Sequence, residues 1–185
     1  MNFLKKNWIT LSLTAFLLAI LLIPSFKEFV TRQILMKPSL EKVENEVTFT
    51  PEELNIQLKG VNVPDANLAD FKGKVVFLNF WGTWCPPCRA EYPSIQKLYE
   101  AKKDKVVFVL IAMQDEEEKV KKFLADNNYT TPVYFATSPL SEKMLPKVFP
   151  TTFILGQNGR ILMKEDAAKD WYSESVHQFL DSVNP

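Results

Sequence analysis

Residues 75–80 form an almost continuous apolar run, rich in strand-forming side chains and interrupted only by Asn79. Such a run is typical of a β-strand that is buried on both faces. Residues 105–113 form a second run of the same kind, and residues with helical spacing follow each run. Strands that alternate with helices indicate βαβ units and a largely parallel sheet. The sequence therefore predicts an α/β domain.

Shorter segments extend this sheet. Strand-forming residues between turn signals predict three more strands, at residues 47–50, 54–58 and 133–135. Residues 151–155 and 161–164 flank a Gly-Gln-Asn-Gly turn, which indicates a hairpin with an antiparallel edge. The predicted fold class is α/β, with a central mixed sheet, flanking helices and an N-terminal strand extension.

Three helices are predicted besides the one that follows residue 85. Asp115 is the expected N-cap of the first, because Glu118 stands three residues later and completes a capping box. Residues 139–147 are expected to form a short second helix. Residues 176–183 have apolar side chains at helical spacing and predict the closing helix.

Composition excludes several classes of protein. The 185 residues include 22 basic and 22 acidic side chains, so we expect no basic surface and no nucleic-acid partner. The apolar fraction of 46% is sufficient for a sizeable core. Two cysteines and one histidine cannot supply the four ligands of a structural zinc site of Cys and His.

The N-terminal segment forms a separate unit of the sequence. Lys5 and Lys6 precede about 20 uncharged residues, which as a helix would cross a hydrocarbon core of about 30 Å. A cleaved signal peptide and an uncleaved anchor share this layout, but the residues after the apolar run fit a cleavage site poorly. We expect an anchor at residues 1–26, a linker at 27–46 and a globular domain at 47–185. The chain would cross the cytoplasmic membrane once and expose its domain on the extracytoplasmic (periplasmic) side.

Cys85 and Cys88 are the two cysteines of the chain, and they stand where the first buried strand gives way to a helix. A helix N-terminus favours a thiolate through its unpaired N–H groups and partial positive charge. Cys85 is therefore the expected nucleophile, and Cys88, one turn later, is the expected resolving thiol. Pro86 and Pro87 have no N–H, so the main-chain donor within reach of Cys85 is that of Cys88. Because the Cys85 thiolate is stabilised only modestly, we expect the dithiol–disulfide couple of Cys85 and Cys88 to be reducing. We expect no cofactor.

Other interpretations of the cysteine pair stay open at this point. The pair could be a structural disulfide, or it could bind copper in a metallochaperone. Copper would need further soft ligands, for which the candidates are Met113, Met144, Met163 and His177. A peroxide-reducing enzyme fits less well, because both cysteines belong to one dithiol pair.

Two segments resemble a known family. Residues 75–91, VVFLNFWGTWCPPCRAE, resemble the active-site region of the TlpA/ResA-like thiol-disulfide oxidoreductases of the thioredoxin superfamily. Residues 149–153, FPTTF, resemble the cis-proline segment of the same family. The resemblance implies a thioredoxin-like fold and a disulfide between the redox-active cysteines. Many members are tethered outside the cytoplasmic membrane, which agrees with the predicted anchor.

The resemblance also implies roles for individual residues. Pro150 would follow a cis peptide bond, lie against the disulfide and shape the groove that receives the partner chain. Trp84 would pack beside the site. Together with Pro87 and Phe149, these two residues are the expected partner-binding residues.

Glu91 matches an acidic residue that family members have near the cysteines. It lies three residues after Cys88, hence on the same helix face, where its carboxylate could accept the proton of the Cys88 thiol. Alternatively, Glu91 is a solvated helix residue. Asn79 replaces the buried Asp of thioredoxin, so the acceptor role falls on Glu91.

The predicted activity is reduction of protein disulfides outside the cytoplasm. The expected partners are oxidised proteins and a membrane thiol carrier that returns electrons to the cysteine pair, as the family suggests. One expected target is the haem-attachment Cys pair of an apocytochrome c, which would place the protein in cytochrome c maturation; misoxidised proteins in general are the other.

Overall fold

The computed structural model describes residues 7–22, 35–39 and 47–183. Contacts divide the chain into two units, Met1–Met36 and Lys37–Pro185. In the first unit, helix α1 (Trp8–Leu22) has no charged residue. Across the described ranges, no helix combines the length and the apolar character needed to span a membrane. The predicted linker lies largely outside the described residues, as do Lys5 and Lys6.

The second unit is built on a mixed sheet of seven strands within its described residues. In chain order the strands are β1 (Gln57–Gly60), β2 (Ala66–Asn67), β3 (Val75–Trp81), β4 (Val106–Ala112), β5 (Val133–Ala136), β6 (Thr151–Leu155) and β7 (Ile161–Asp166). Their spatial order is β2-β1-β5-β4-β3-β6-β7. Strands β3, β4 and β5 pair in parallel, whereas β1, β2, β6 and β7 pair antiparallel at the two sides. The predicted mixed sheet is confirmed.

Four α-helices are described in this unit: α2 (Pro51–Leu54), α3 (Pro86–Lys102), α4 (Glu117–Asn127) and α5 (Glu174–Val183); Leu68–Phe71 forms a short 3-10 helix. Every residue of β3 is buried, and its side chains alternate between two cores. Phe77 and Trp81 belong to the core that contains the buried residues of α3, α4 and α5. Since side chains alternate along a strand, Asn79 also faces α3. This alternation places a polar side chain beneath the start of the helix.

The predicted strand at residues 47–50 is wrong. Thr48 makes an isolated bridge to Arg160, and the Thr50 side chain caps α2 in a capping box with Glu53. A Thr cap, a Pro at the first helical position and a Glu at the third favour a helix start over a strand. The strand predicted at residues 54–58 consequently begins only at Gln57, because residues 51–54 are helical.

Two helix predictions also need correction. Residues 139–147 contain turns and bends rather than a helix. The stretch between Pro139 and Pro146 is too short to offset the cost of helix nucleation without strong packing. Asp115 does not cap α4; Glu116 occupies the N-cap position without a side-chain hydrogen bond. The Asp115 carboxylate is used elsewhere, as described below.

Candidate active site

The cysteine pair lies at the N-terminus of α3, directly after β3. Cys85 and Cys88 form a disulfide, with their Cα atoms 5.3 Å apart. Cys85 is the N-cap residue, and its Sγ accepts a hydrogen bond from the Cys88 N–H at 3.3 Å. Pro86 and Pro87 fill the first turn and leave no unpaired N–H group there. The main-chain donor expected from the sequence thus reaches Cys85, while the roles of nucleophile and resolving thiol stay predictions.

Access to the disulfide is limited. The side chains of Cys85 and Cys88 are only 3% and 1% exposed, whereas Trp84, Pro86 and Pro87 around them are exposed. A partner sulfur must therefore approach over this rim, at the helix end where Cys85 lies.

Aromatic rings and a cis proline border the same place. The Phe149–Pro150 peptide bond is cis, as the resemblance implied. The rings of Trp84 and Phe149 meet edge to face, with centroids 5.3 Å apart. Trp84 Nε1 donates to the Met113 carbonyl at 3.0 Å, which holds the indole in place although 48% of the residue is exposed. The expected partner-binding residues Trp84 and Phe149 therefore form one apolar rim.

Glu91 is fully buried, so it is not a solvated helix residue. Its Oε1 accepts a hydrogen bond from Asn79 Nδ2 at 3.0 Å. Its Oε2 accepts two more, from the main-chain N–H of Lys169 at 3.1 Å and from Trp171 Nε1 at 3.0 Å. Three donors from two distant parts of the chain thus hold this carboxylate on the helix face that also carries Cys88.

Burial raises the pKa of Glu91 from its ordinary value of 4.5 to about 7. The Lys169 N–H, Trp171, Asn79 and the positive charge of Lys169 oppose this effect and favour the carboxylate, but they do not offset the loss of water. A carboxyl group that titrates near neutral pH can both accept and return a proton. Glu91 is therefore chemically suited to receive the proton of a neighbouring thiol.

Several polar residues at this site were missed by reasoning from the sequence. Thr152 Oγ1 accepts a hydrogen bond from Asn79 Nδ2 at 2.8 Å, and Asn79 Oδ1 is buried without a partner among the described residues. Lys169 and Trp171 lie about 80 residues beyond Glu91 in sequence and reach it only through the fold. No local spacing signals such contacts.

Asp115 belongs to the site rather than to α4. Its carboxylate accepts hydrogen bonds from the Thr83 N–H at 2.5 Å and from the Thr83 hydroxyl at 2.9 Å. Gln114, just before it, has a left-handed backbone with φ of 50°. The loop after β4 thereby holds the two residues that precede Cys85, since Met113 binds Trp84 and Asp115 binds Thr83.

The four candidate soft ligands for copper lie on different parts of the chain, and of these Met163 belongs to the core that contains Cys85 and Cys88. Met144 belongs to the core on the opposite face of the sheet. The His177 ring, on α5, packs against Tyr172 with centroids 4.8 Å apart. Among the described residues, no group of three or more His, Cys, Asp or Glu side chains could hold a metal ion.

A disulfide of the Cys-X-X-Cys type at a helix N-terminus, beside a cis proline on this mixed sheet, defines a thioredoxin-like thiol-disulfide oxidoreductase. The chain belongs to the Redoxin family, which matches residues 42–177. The resemblance to the TlpA/ResA-like enzymes is confirmed, and the chain is a thiol-disulfide oxidoreductase of the ResA/DsbE type.

Individual relatives agree with this assignment. The thiol-disulfide oxidoreductase ResA of Bacillus thuringiensis subsp. konkukian is 30% identical over 144 residues, which cover 77% of this chain and 82% of the relative. ResA of Halalkalibacterium halodurans is 27% identical over 98% of this chain and 97% of its own length. The solution structure of a thiol:disulfide interchange protein from Bacteroides sp. has 27% identity and a TM-score of 0.58, covering 68% of this chain and 86% of that one.

Proposed function

We propose that the protein is a reductant of protein disulfides. The observation that carries this proposal is the buried carboxyl group of Glu91 behind a helix-capping cysteine pair. Cys85 as a thiolate attacks a disulfide of the partner, forms a mixed disulfide and releases one partner thiolate. Cys88 then gives its proton to Glu91 and attacks Cys85 Sγ, which releases the second partner thiolate and restores the Cys85–Cys88 disulfide. Two electrons pass from the protein to its partner.

The local electrostatics support the reducing direction. One main-chain N–H reaches Cys85 Sγ, and the two residues between the cysteines are prolines. A thiolate that receives little stabilisation makes the dithiol a better electron donor, with a potential nearer the thioredoxin value of about −270 mV than that of strong oxidants. A measured potential above about −150 mV would contradict this direction.

We also propose that the enzyme acts outside the cytoplasmic membrane and is anchored by its N-terminal segment. Helix α1 supports this location because it is uncharged and its side chains at residues 8–18 are exposed. A membrane thiol carrier would then return electrons to the cysteines, and an apocytochrome c would be one target. In intact cells, a membrane-impermeant thiol reagent should label Cys85 of the reduced protein; labelling only after lysis would contradict the location.

A trapping experiment tests the activity directly. In Cys88→Ser, the mixed disulfide with Cys85 cannot be resolved, so partners should accumulate as covalent adducts that mass spectrometry identifies. The double variant Cys85→Ser/Cys88→Ser is the control and should give no adduct. If Cys85 of Cys88→Ser reacts readily with an alkylating reagent but traps no protein, the proposed activity is wrong.

A further inference from the structure

A buried ion pair lies beside the Glu91 carboxyl group. Lys169 Nζ contacts Glu165 Oε2 at 3.1 Å, and the two side chains are only 9% and 5% exposed. Burying two charges costs several kcal/mol per ion, and apolar residues of similar volume are often as stabilising or more so. Stability alone is therefore a poor reason for this pair to lie where it does.

Lys169 is connected to Glu91 in two ways. Its main-chain N–H donates to Glu91 Oε2 at 3.1 Å. Its ammonium group acts on the same carboxylate electrostatically and lowers the pKa that burial raises. Moving or neutralising this side chain would therefore alter the balance between the two protonation states of Glu91.

The side chains that donate hydrogen bonds to the Glu91 carboxylate are uncharged. Strand β3 contributes Asn79 and the segment after β7 contributes Trp171, while Thr152 of β6 reaches Glu91 only through Asn79. On α3 itself, Cys88 lies three residues before Glu91 on the same helix face, and the Ser94 hydroxyl donates to the main-chain carbonyl of Glu91 at 2.7 Å. The buried Asp170 carboxylate accepts the main-chain N–H of Tyr172 at 3.2 Å. Lys169 is thus the charged side chain that bears on Glu91 among these groups.

Glu165 determines where the ammonium group lies. One of its oxygens binds Lys169 Nζ, and the other accepts a hydrogen bond from Ser39 Oγ at 2.6 Å. Both carboxylate oxygens are occupied, which holds the counter-ion firmly. Without the charge of Glu165, the ammonium group would lose this counter-ion, while its electrostatic interaction with the Glu91 carboxylate would remain.

We propose that Lys169 and Glu165 are positioning residues that govern when Glu91 can take the proton from Cys88. In the step concerned, the Cys88 thiol and the Glu91 carboxylate become a thiolate and a carboxylic acid. The Cys88 thiolate then displaces the partner from Cys85. Lys169 favours the carboxylate that must be present beforehand, and Glu165 limits this effect by holding the ammonium group. The inference deepens the proposed function and rests on it.

The test follows resolution of a mixed disulfide with a small chromophore. The reduced protein is mixed with the aromatic disulfide DTNB in a stopped-flow instrument. Attack by Cys85 releases a first thionitrobenzoate, and attack by Cys88 releases a second, whose rate is recorded against pH. For the wild-type protein, the rate of the second release should rise or fall with pH about a midpoint. The Glu91→Gln variant should show no such midpoint.

The two charge variants should move this midpoint in opposite directions. Lys169→Met should raise it by about one pH unit, because a favourable charge near a carboxylate is lost. Glu165→Gln should lower it, because the ammonium group is released towards Glu91. Lys169→Arg should retain the wild-type midpoint. If Lys169 and Glu165 had only a structural role, both charge variants would resolve the mixed disulfide more slowly, but their pH midpoints would not shift in opposite directions.

Lys169→Met leaves Glu165 buried without its partner and could prevent folding, so Lys169→Met/Glu165→Met serves as a second variant. It carries neither charge, and its midpoint should also rise. If the wild-type midpoint depends on Glu91 but neither this variant nor Glu165→Gln moves it, the inference is wrong and the proposed function stands. If wild type releases no second thionitrobenzoate at any pH, the proposed function itself fails.

Discussion

At the scale of single residues, the buried Glu91 links the chemistry of the site to the stability of the fold. Its pKa is about 7 in the folded protein and about 4.5 when the side chain is solvated. Between these pH values, the folded protein binds a proton that the unfolded chain does not bind. The contribution of Glu91 to the free energy of unfolding is therefore greatest below about pH 4.5, and it falls by about 3 kcal/mol as the pH rises through 7.

Glu91→Gln should remove this dependence, because the amide does not titrate. Chemical denaturation of the disulfide form at a series of pH values measures the pH dependence of the free energy of unfolding without interference from thiols. Glu118→Gln, which replaces a carboxyl group that is 87% exposed, is the matched control and should keep the slope. Retention of the slope in Glu91→Gln would assign the pH dependence to another group.

At the scale of elements, the loop after β4 supports the segment that leads into α3. Asp115 accepts two hydrogen bonds from Thr83 and a third from the Glu116 N–H at 2.9 Å. Asp115→Ala should therefore lower the free energy of unfolding by about 1–3 kcal/mol, since partly buried donors lose their acceptor. It should also speed amide exchange at Thr83.

Asp115→Asn keeps one acceptor oxygen and should lose less stability than Asp115→Ala. Asp104→Ala, at an exposed turn residue, is the control for removing a surface carboxylate. Denaturant unfolding and hydrogen exchange measure these effects. Equal stability of Asp115→Ala and wild type would show that the loop is held by its main chain alone.

At the scale of the whole molecule, the reducing couple implies a difference in stability between the two redox forms. A strong oxidant owes its potential to a stabilised dithiol form, whereas a reductant is expected to be more stable as the disulfide. The oxidised protein should therefore have a higher Tm than the reduced protein. The Cys85→Ser/Cys88→Ser variant should melt at the same temperature with and without reductant. A higher Tm for the dithiol form would point to an oxidant.

Much of the architecture was predictable because it depends on local patterns. The apolar residues of β3 and β4 and the hairpin turn before β7 each signal their element within a few residues. The prediction of secondary structure failed where two short-range sequence signals competed. The segment at residues 47–50 has strand-forming side chains, but Thr50 and Glu53 form a capping box and start a helix instead.

The same contrast holds at the site. The sequence by itself determined the reactive pair, because two cysteines three residues apart after a buried strand need only one helical turn to meet. It also determined that a carboxyl group would share their helix face. The tertiary structure alone decided that Glu91 is buried, and that Asn79, Lys169 and Trp171 surround it. These contacts join strands and loops far apart in the chain, and desolvation, which raises the pKa of Glu91, exists only once the core closes over it.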